Sequence, residues 1–260
     1  MTLRPIPILI AAASAGAQAC KDTPTAPANT VGDVAVTVPG SPAPASGDVA
    51  ATAAARFTRD FRLEDCEFET VGDNPFFPLK PGLTTVLEGV VEGERTRVRI
   101  KVLDRTIAIG GVRTRVVEER EHVSGELVEV SRNYFAHCDE NGTVFYFGED
   151  VDIYENGRVV SHEGAWRHGV NGAQAGVIMP GIALLGSRYF QEVAPGIALD
   201  RAEILSLDAS VVTPLRRFGN ALLTEETTPL DPADVSRKIY AAGIGLVADG
   251  ALRLVRVEGR

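Results

Sequence analysis

Closely spaced turn signals divide the chain from residue 84 onward into short segments of alternating side chains. In 96–102, arginine or lysine occupies every second position, and valine or isoleucine stands between them. Because successive side chains of a strand point to opposite faces, this alternation predicts strands with one solvated face and one buried face. Asn141-Gly142 and Asn156-Gly157 are typical of tight hairpin turns.

No long segment has the 3.6-residue period of an amphipathic helix. We therefore expect an all-β fold, an antiparallel up-and-down meander that curls into a barrel or half-barrel, with a two-sheet β-sandwich as the alternative. The predicted strands are 84–91, 96–108, 112–123, 126–138, 144–154, 158–162, 188–193, 201–207, 219–226, 236–241 and 252–257.

Two segments interrupt the strand pattern. Proline recurs through 74–82, which predicts an extended surface segment whose Phe76-Phe77 pair closes one end of the core. Residues 165–187 are rich in glycine and exceed ordinary loop length, which predicts a functional lid or rim.

The N-terminus has the composition of an export signal. A basic residue precedes an apolar run, and the small residues Ala17 and Ala19 mark a cleavage site. The following stretch consists largely of Ala, Pro, Thr, Val, Gly and Ser, which cannot form a packed core. The predicted organisation is an export signal in 1–19, a disordered tether in 20–55 and a single β-rich domain in 56–260. The predicted location is the periplasm or the membrane-anchored cell envelope.

Cys20 follows the small residues as in a bacterial lipobox, where this cysteine is lipidated. Ala17 stands where leucine is usual and Gln18 is bulky, so ordinary cleavage after Ala19 is the alternative. That cleavage would leave an exposed, oxidisable thiol, which favours lipidation of Cys20. No other apolar run approaches the roughly 20 residues of a spanning helix. A lipid on Cys20 is thus the only membrane attachment that the sequence predicts.

The chain is acidic, with 26 Lys+Arg against 35 Asp+Glu and a net charge of −9. Such a surface repels phosphate backbones, and no basic stripe interleaved with aromatic residues is apparent. Nucleic acid and anionic lipid surfaces are therefore not expected partners.

Beyond Cys20, the cysteines are Cys66 and Cys138. An oxidising compartment favours a disulfide between them, and two buried free thiols are the alternative.

No cofactor or metal site is predicted. The segment HEGAWRH, 162–168, has Trp166 four residues after its first histidine, where a metalloprotease helix needs a second one, and the other histidines show no ligand spacing. Glycine-rich nucleotide loops and the Gly-x-Ser-x-Gly motif of serine hydrolases do not occur.

Several acids stand close to aromatic residues along the chain. A carboxylate held against aromatic surface is desolvated, which raises its pKa and suits it to proton transfer near neutral pH. The alternative is that each acid lies on a solvated face or pairs with an arginine. The candidate catalytic residues are Glu163, Glu192 and Glu149.

Segments distributed over roughly residues 70–258 resemble a family of secreted, β-rich bacterial proteins. They include NPFFPLKPG (74–82), YFGED (146–150), EGAW (163–166), GVNGA (169–173) and YAAGIGLV (240–247). The resemblance implies an exported protein or lipoprotein and implies no activity. The last segment is also similar to one in β-rich envelope proteins whose curved sheets surround an apolar groove.

Three functions follow as hypotheses. The first is a cell-envelope protein that binds an apolar or amphipathic small molecule in a groove lined by Phe145, Phe147, Trp166, Tyr189, Phe190 and Tyr240. The second is an acid/base enzyme, a hydrolase, isomerase or lyase that uses pocket carboxylates, and the third is a structural or interaction lipoprotein on a tether.

Overall fold

The computed structural model describes residues 57–259, so the predictions for 1–19, for Cys20 and for the tether lie outside the described residues. Within 57–259 there is one 3-10 helix, Leu63–Asp65, and no α-helix, so no helix there has the length to cross a bilayer. The strands are β1 Phe68–Glu69, β2 Thr84–Val91, β3 Glu94–Ile109, β4 Val112–Val123, β5 Glu126–Cys138, β6 Val144–Glu155, β7 Arg158–Ser161, β8 Trp166–Arg167, β9 Gln174–Met179, β10 Arg188–Phe190, β11 Glu192–Val193, β12 Arg201–Val212, β13 Arg217–Thr227, β14 Val235–Ala241, β15 Gly245–Asp249 and β16 Leu252–Glu258.

The strands form an antiparallel sheet that is nearly closed into a barrel with one seam. Its order is β10-β12-β13-β14-β15-β16-β2-β3-β4-β5-β6-β9-β11, which is largely the order of the chain. The two ends of this path, β10 and β11, are separated in the chain by Gln191 alone. The prediction of an all-β meander curling into a barrel is confirmed, in preference to the two-sheet sandwich.

At the seam, the backbone of β9 lies in close contact with the connection between β10 and β11. Gly176 of β9 lies against the connection between β10 and β11, and a Cβ at this position would come within 2.5 Å of the carbonyl oxygens of Phe190 and Gln191. Only glycine therefore fits without a shift of the backbone. Thr58 extends the pairing at the outer side of β10 through a parallel bridge to Tyr189.

Residues 165–187 were expected to form a lid or rim, but part of the segment belongs to the barrel wall. The segment contains β8 and β9, and β9 pairs with both β6 and β11 as part of the barrel wall. Residues 175–179 are buried without alternation because both faces of β9 are covered, so the periodicity signal was absent. The same reason explains why β15, buried throughout, was not predicted.

The two Asn-Gly pairs form different turns. Asn156 and Gly157 have φ values of 51° and 73°, as a type I′ turn requires. At the other pair only Gly142 has a positive φ, and the Asn141 side chain accepts a hydrogen bond from the Thr143 N–H at 2.9 Å. The hairpin between β5 and β6 therefore has a longer loop, residues 139–143.

The proline-rich segment 74–82 is fixed to the barrel by Asn74. Its side-chain oxygen accepts hydrogen bonds from the backbone N–H groups of Phe76 and Phe77, each at 3.0 Å. Its amide donates to the carbonyl oxygens of Gly142 and Pro180. Phe77 is thereby held in the core with its ring centroid 4.9 Å from that of Phe135.

A disulfide joins Cys66 to Cys138, with Cα atoms 5.2 Å apart and a sequence separation of 72. It ties the segment before β1 to the end of β5. On the chain-entropy account, a loop of this length contributes roughly 4 kcal/mol to stability.

The variant Cys66→Ala/Cys138→Ala should therefore lose roughly 4 kcal/mol of unfolding free energy in urea denaturation, because its unfolded state regains the loop entropy. Cys20→Ser is the matched control, since it removes a thiol and leaves the bridge intact. Equal urea midpoints for the double variant and the control would show that the bridge does not constrain the unfolded chain.

Candidate functional site

The interior of the barrel is acidic, whereas the sequence predicted a groove lined by aromatic residues. Side chains from distant strands meet there: Glu119 of β4 interacts electrostatically with Lys238 of β14 and Asp249 of β15, although β16, β2 and β3 separate them in the sheet. We call the following buried residues the interior acids: Glu119, Glu121, Glu129, Glu149, Glu192, Glu226 and Asp249.

Cross-strand pairing brings the first three interior acids together. Glu121 of β4 lies directly opposite Glu129 of β5, and Glu119 lies opposite Ser131. Burial raises the pKa of Glu119 and of Glu121 to about 8 and the pKa of Glu129 to about 7. Near neutral pH Glu119 and Glu121 are therefore largely carboxylic acids, which donate as well as accept hydrogen bonds, and Glu129 is about half protonated.

A buried ion pair lies on the opposite wall. Lys238 Nζ donates to Glu226 Oε2 at 2.5 Å, while Glu226 Oε1 accepts from Gln191 at 3.2 Å and from the Tyr240 hydroxyl at 3.4 Å. Burial lowers the pKa of Lys238, but Glu226 and Asp249 outweigh this effect and raise it above its usual value. Lys238 thus stays charged among the interior acids.

Glu149 and Glu192 are incompletely hydrogen-bonded, as is Glu121, neither of whose carboxylate oxygens has a partner. Glu149 is fully buried and neither carboxylate oxygen has a hydrogen-bond partner, since the neighbouring Tyr146 hydroxyl donates to Asn133 at 2.7 Å. Glu192 Oε1 accepts from the Asp200 N–H at 2.7 Å, and Oε2 has no partner.

Burial raises the pKa of both acids well above the usual value, and nearby carboxylates raise them further. For Glu149 the largest such neighbour is Glu129, and for Glu192 it is Asp200. Burial thus favours the protonated form of both side chains, and their free oxygens lack hydrogen-bond partners.

A cleft of about 200 Å³ opens above Glu149, between β8 and the segments 170–173 and 194–197. Trp166, Pro195 and Ile197 supply apolar lining. Asp150 and Arg167 supply charge, as an ion pair of 2.6 Å between Nη2 and Oδ1. We call this space the Trp166 cleft.

Trp166 is the residue that links the cleft to the interior. It lies opposite Glu149 in the pairing of β6 with β8, and its ring packs edge-on against Tyr146 with centroids 5.1 Å apart. Its indole N–H is buried without an acceptor. Two residues that line the cleft thus carry buried polar groups without partners, one a donor and one a carboxyl group.

The structure separates the three predicted catalytic acids. Glu149 lines the cleft, and Glu192 lies within electrostatic reach behind it. Glu163 is exposed in the turn before β8, where its backbone N–H donates a hydrogen bond to Ser161 Oγ at 3.0 Å.

The predicted aromatic groove does not form as one surface. Phe145 and Phe147 pack against Phe68, with centroids 5.6 and 5.2 Å apart. Phe190 packs in the same way against Phe57 at 6.1 Å. Residues of the chain before β2 therefore pack onto these three rings.

The other predicted ligand-binding residues lie elsewhere. Tyr189 and Tyr240 are buried at the barrel interior, where the Tyr240 hydroxyl reaches Glu226 and the Tyr189 hydroxyl has no hydrogen-bond partner. Trp166 alone among the six lines the cleft. Within 57–259, Cys66, Cys138 and Glu140 form the cluster with metal-ligand spacing, and its two cysteines are joined in the disulfide.

No protein-family model matches the chain, and no curated protein matches it. A chain in the crystal structure of a candidate lipoprotein from Parabacteroides distasonis ATCC 8503 is similar to this protein, with 12% identity and a TM-score of 0.37. The match covers 73% of this chain and 100% of that chain. The fold is therefore assigned from the strand pairing within this structure alone, and the resemblance to secreted β-rich proteins stays a prediction.

Proposed function

We propose that this protein is an exported cell-envelope protein that binds a small amphipathic molecule in the Trp166 cleft. The observation that carries the proposal is that two residues lining the cleft have buried polar groups without partners, the Trp166 indole N–H and the Glu149 carboxyl. Buried polar groups are rarely left unpaired, so a ligand that pairs with both would recover the cost of their burial.

The lining of the cleft specifies the ligand's chemistry. An apolar part would lie against Trp166, Pro195 and Ile197, and a polar end would accept from the indole and contact Glu149. The Asp150–Arg167 pair offers a second polar contact. At about 200 Å³ the cleft is smaller than a typical drug-sized site of about 300–1,000 Å³, so the ligand is small.

The export signal and Cys20 support the location. A lipid on Cys20 would provide two acyl chains and stable anchoring. The stretch 20–55 would then separate the barrel from the membrane while the cleft stays accessible to solutes.

Trp166 is the single tryptophan of the chain, so its fluorescence reports directly on the cleft. We expect a saturable fluorescence change, with one site per chain, for at least one member of a panel of short-chain fatty acids, alkylamines and alkyl glycosides. In calorimetry, Trp166→Phe should weaken that ligand roughly tenfold, because one hydrogen bond is lost and the ring is kept.

Tyr154→Phe serves as the control, since this residue is outside the cleft and also keeps its ring. Equal affinities for the two variants would place the ligand elsewhere. A panel without any saturable response would count against binding in the cleft.

A second candidate function is acid/base catalysis, favoured by the raised pKa values of Glu149 and Glu192 and by their proximity. Glu149 would be the proton donor to a substrate in the cleft, with Glu192 behind it. An enzyme would lose turnover in Glu149→Gln while substrate affinity stays similar. A binding protein has no turnover to lose.

A further inference from the structure

Three arginines form a row on the outer face of β3. Thr96 and Val98 are buried, so the alternating residues Arg95, Arg97 and Arg99 face outward. Alternate residues of a strand are about 7 Å apart, which sets the spacing of the three side chains. We call these residues the arginine row.

The arginine row lines an open groove of about 720 Å³. Glu88 and Val90 of β2 lie on one side, His122 of β4 on the other, and Pro214, from the turn between β12 and β13, also contributes. The groove is distinct from the Trp166 cleft, with which it shares no lining residue.

The charges in this groove are not balanced. Arg97 pairs with Glu88 at 3.4 Å, and both side chains are about half exposed. Throughout residues 57–259, no acidic side chain forms an ion pair or hydrogen bond with Arg95 or Arg99. The adjoining Arg120 is paired with Glu118 at 2.8 Å, so its positive charge is already balanced.

His122 adds a polar group to the same groove. Its Nδ1 is buried without a hydrogen-bond partner. Arg97 lies directly opposite it across β3 and β4, and Arg99 lies opposite Arg120. The groove thus presents two guanidinium groups without acidic partners, beside the His122 imidazole, against one acid.

We infer that this groove binds a linear anion that carries successive phosphate groups. The planar donor fork of arginine matches phosphate oxygens, and regularly spaced forks on a rigid strand favour a repeating anion over a single one. The net charge of −9 indicated that anions are repelled, but the arginine row is a local exception to it. Acids elsewhere on the surface would restrict contact to a short stretch of the polymer.

The test is calorimetric titration of the full chain with inorganic tripolyphosphate, with orthophosphate and with a glycerol-phosphate oligomer in about 50 mM salt. We expect either linear probe to bind at least tenfold more tightly than orthophosphate, and more weakly as salt is raised. Preference for tripolyphosphate would assign free polyphosphate, and preference for the oligomer would assign an envelope polymer.

Arg97→Gln/Arg99→Gln should weaken the preferred probe at least tenfold. The control is Arg59→Gln/Arg158→Gln, which removes the same charge from two exposed positions outside the groove. We expect it to change the affinity less than twofold. Equal weakening in both variants would show non-specific attraction and overturn the inference, as would failure of both linear probes to bind. Arg95→Gln, at the end of the row, checks the result in a single substitution.

Discussion

Lys238→Met should lower the free energy of unfolding by roughly 3–5 kcal/mol, because it leaves a buried carboxylate without its cation. Lys238 is only 2% exposed, and its Nζ lies 2.5 Å from Glu226 Oε2. Gln191 and Tyr240 still reach Glu226 in the variant, but neither carries a charge. Urea denaturation at pH 7 measures the loss.

Two controls separate charge burial from loss of packing. Lys238→Met/Glu226→Gln removes both charges and should recover most of the stability. Arg237→Met removes the cation of an exposed pair on the same two strands, Arg237 and Glu225 at 3.0 Å, and should cost less than about 1 kcal/mol. A loss of stability in Lys238→Met no larger than in Arg237→Met would contradict a charged, buried pair of Lys238 and Glu226.

Stability should fall as the pH rises from 7 to 9. The pKa of Glu119 and of Glu121 is about 8 in the folded protein, against an ordinary 4.5, so the folded state binds more protons than the unfolded state. Stability is therefore full below about pH 4.5 and is lost as the pH rises through 8. With about 1.4 kcal/mol per pKa unit, the two acids and Glu129 together cost roughly 3 kcal/mol between pH 7 and 9.

Glu149 and Glu192, whose pKa values are also raised by burial, would add to this loss of stability and not oppose it. Burial lowers the pKa of His122 and of His168, which affects stability at acidic pH, and the raised pKa of Lys238 acts only at higher pH. Glu121→Gln should reduce the loss between pH 7 and 9 and make the protein more stable at pH 9. Glu126→Gln, exposed at the start of β5, should leave the pH dependence unchanged. A wild-type protein that gains stability over this range would contradict neutral interior acids.

The sequence predicted the barrel because its turns and its alternation are local signals. In β3 the polar positions do face outward, as the pattern of 96–102 indicated. The interior acids escaped prediction because alternation cannot assign a face when both faces are buried. In β5, Val130 and Tyr134 are buried on one face while Ser131 and Asn133 are buried on the other.

The candidate site was predicted only in part, for a related reason. Proximity of acids to aromatic residues in sequence correctly singled out Glu149 and Glu192 as buried, but it gave the same weight to Glu163, which is exposed. Phe145 and Phe147 are apolar and inaccessible because the chain before β2 folds back over them. No periodicity within β6 could reveal that long-range contact.

Native mass spectrometry of the full-length protein, incubated with an envelope extract and repurified, tests the proposed function most directly. We predict an adduct of one small molecule per chain. Glu163→Gln, whose side chain is exposed, should retain it, and Glu149→Gln/Trp166→Phe should lose it. A protein that keeps the mass of its unliganded chain, or an adduct retained equally by both variants, would contradict a ligand site in the Trp166 cleft.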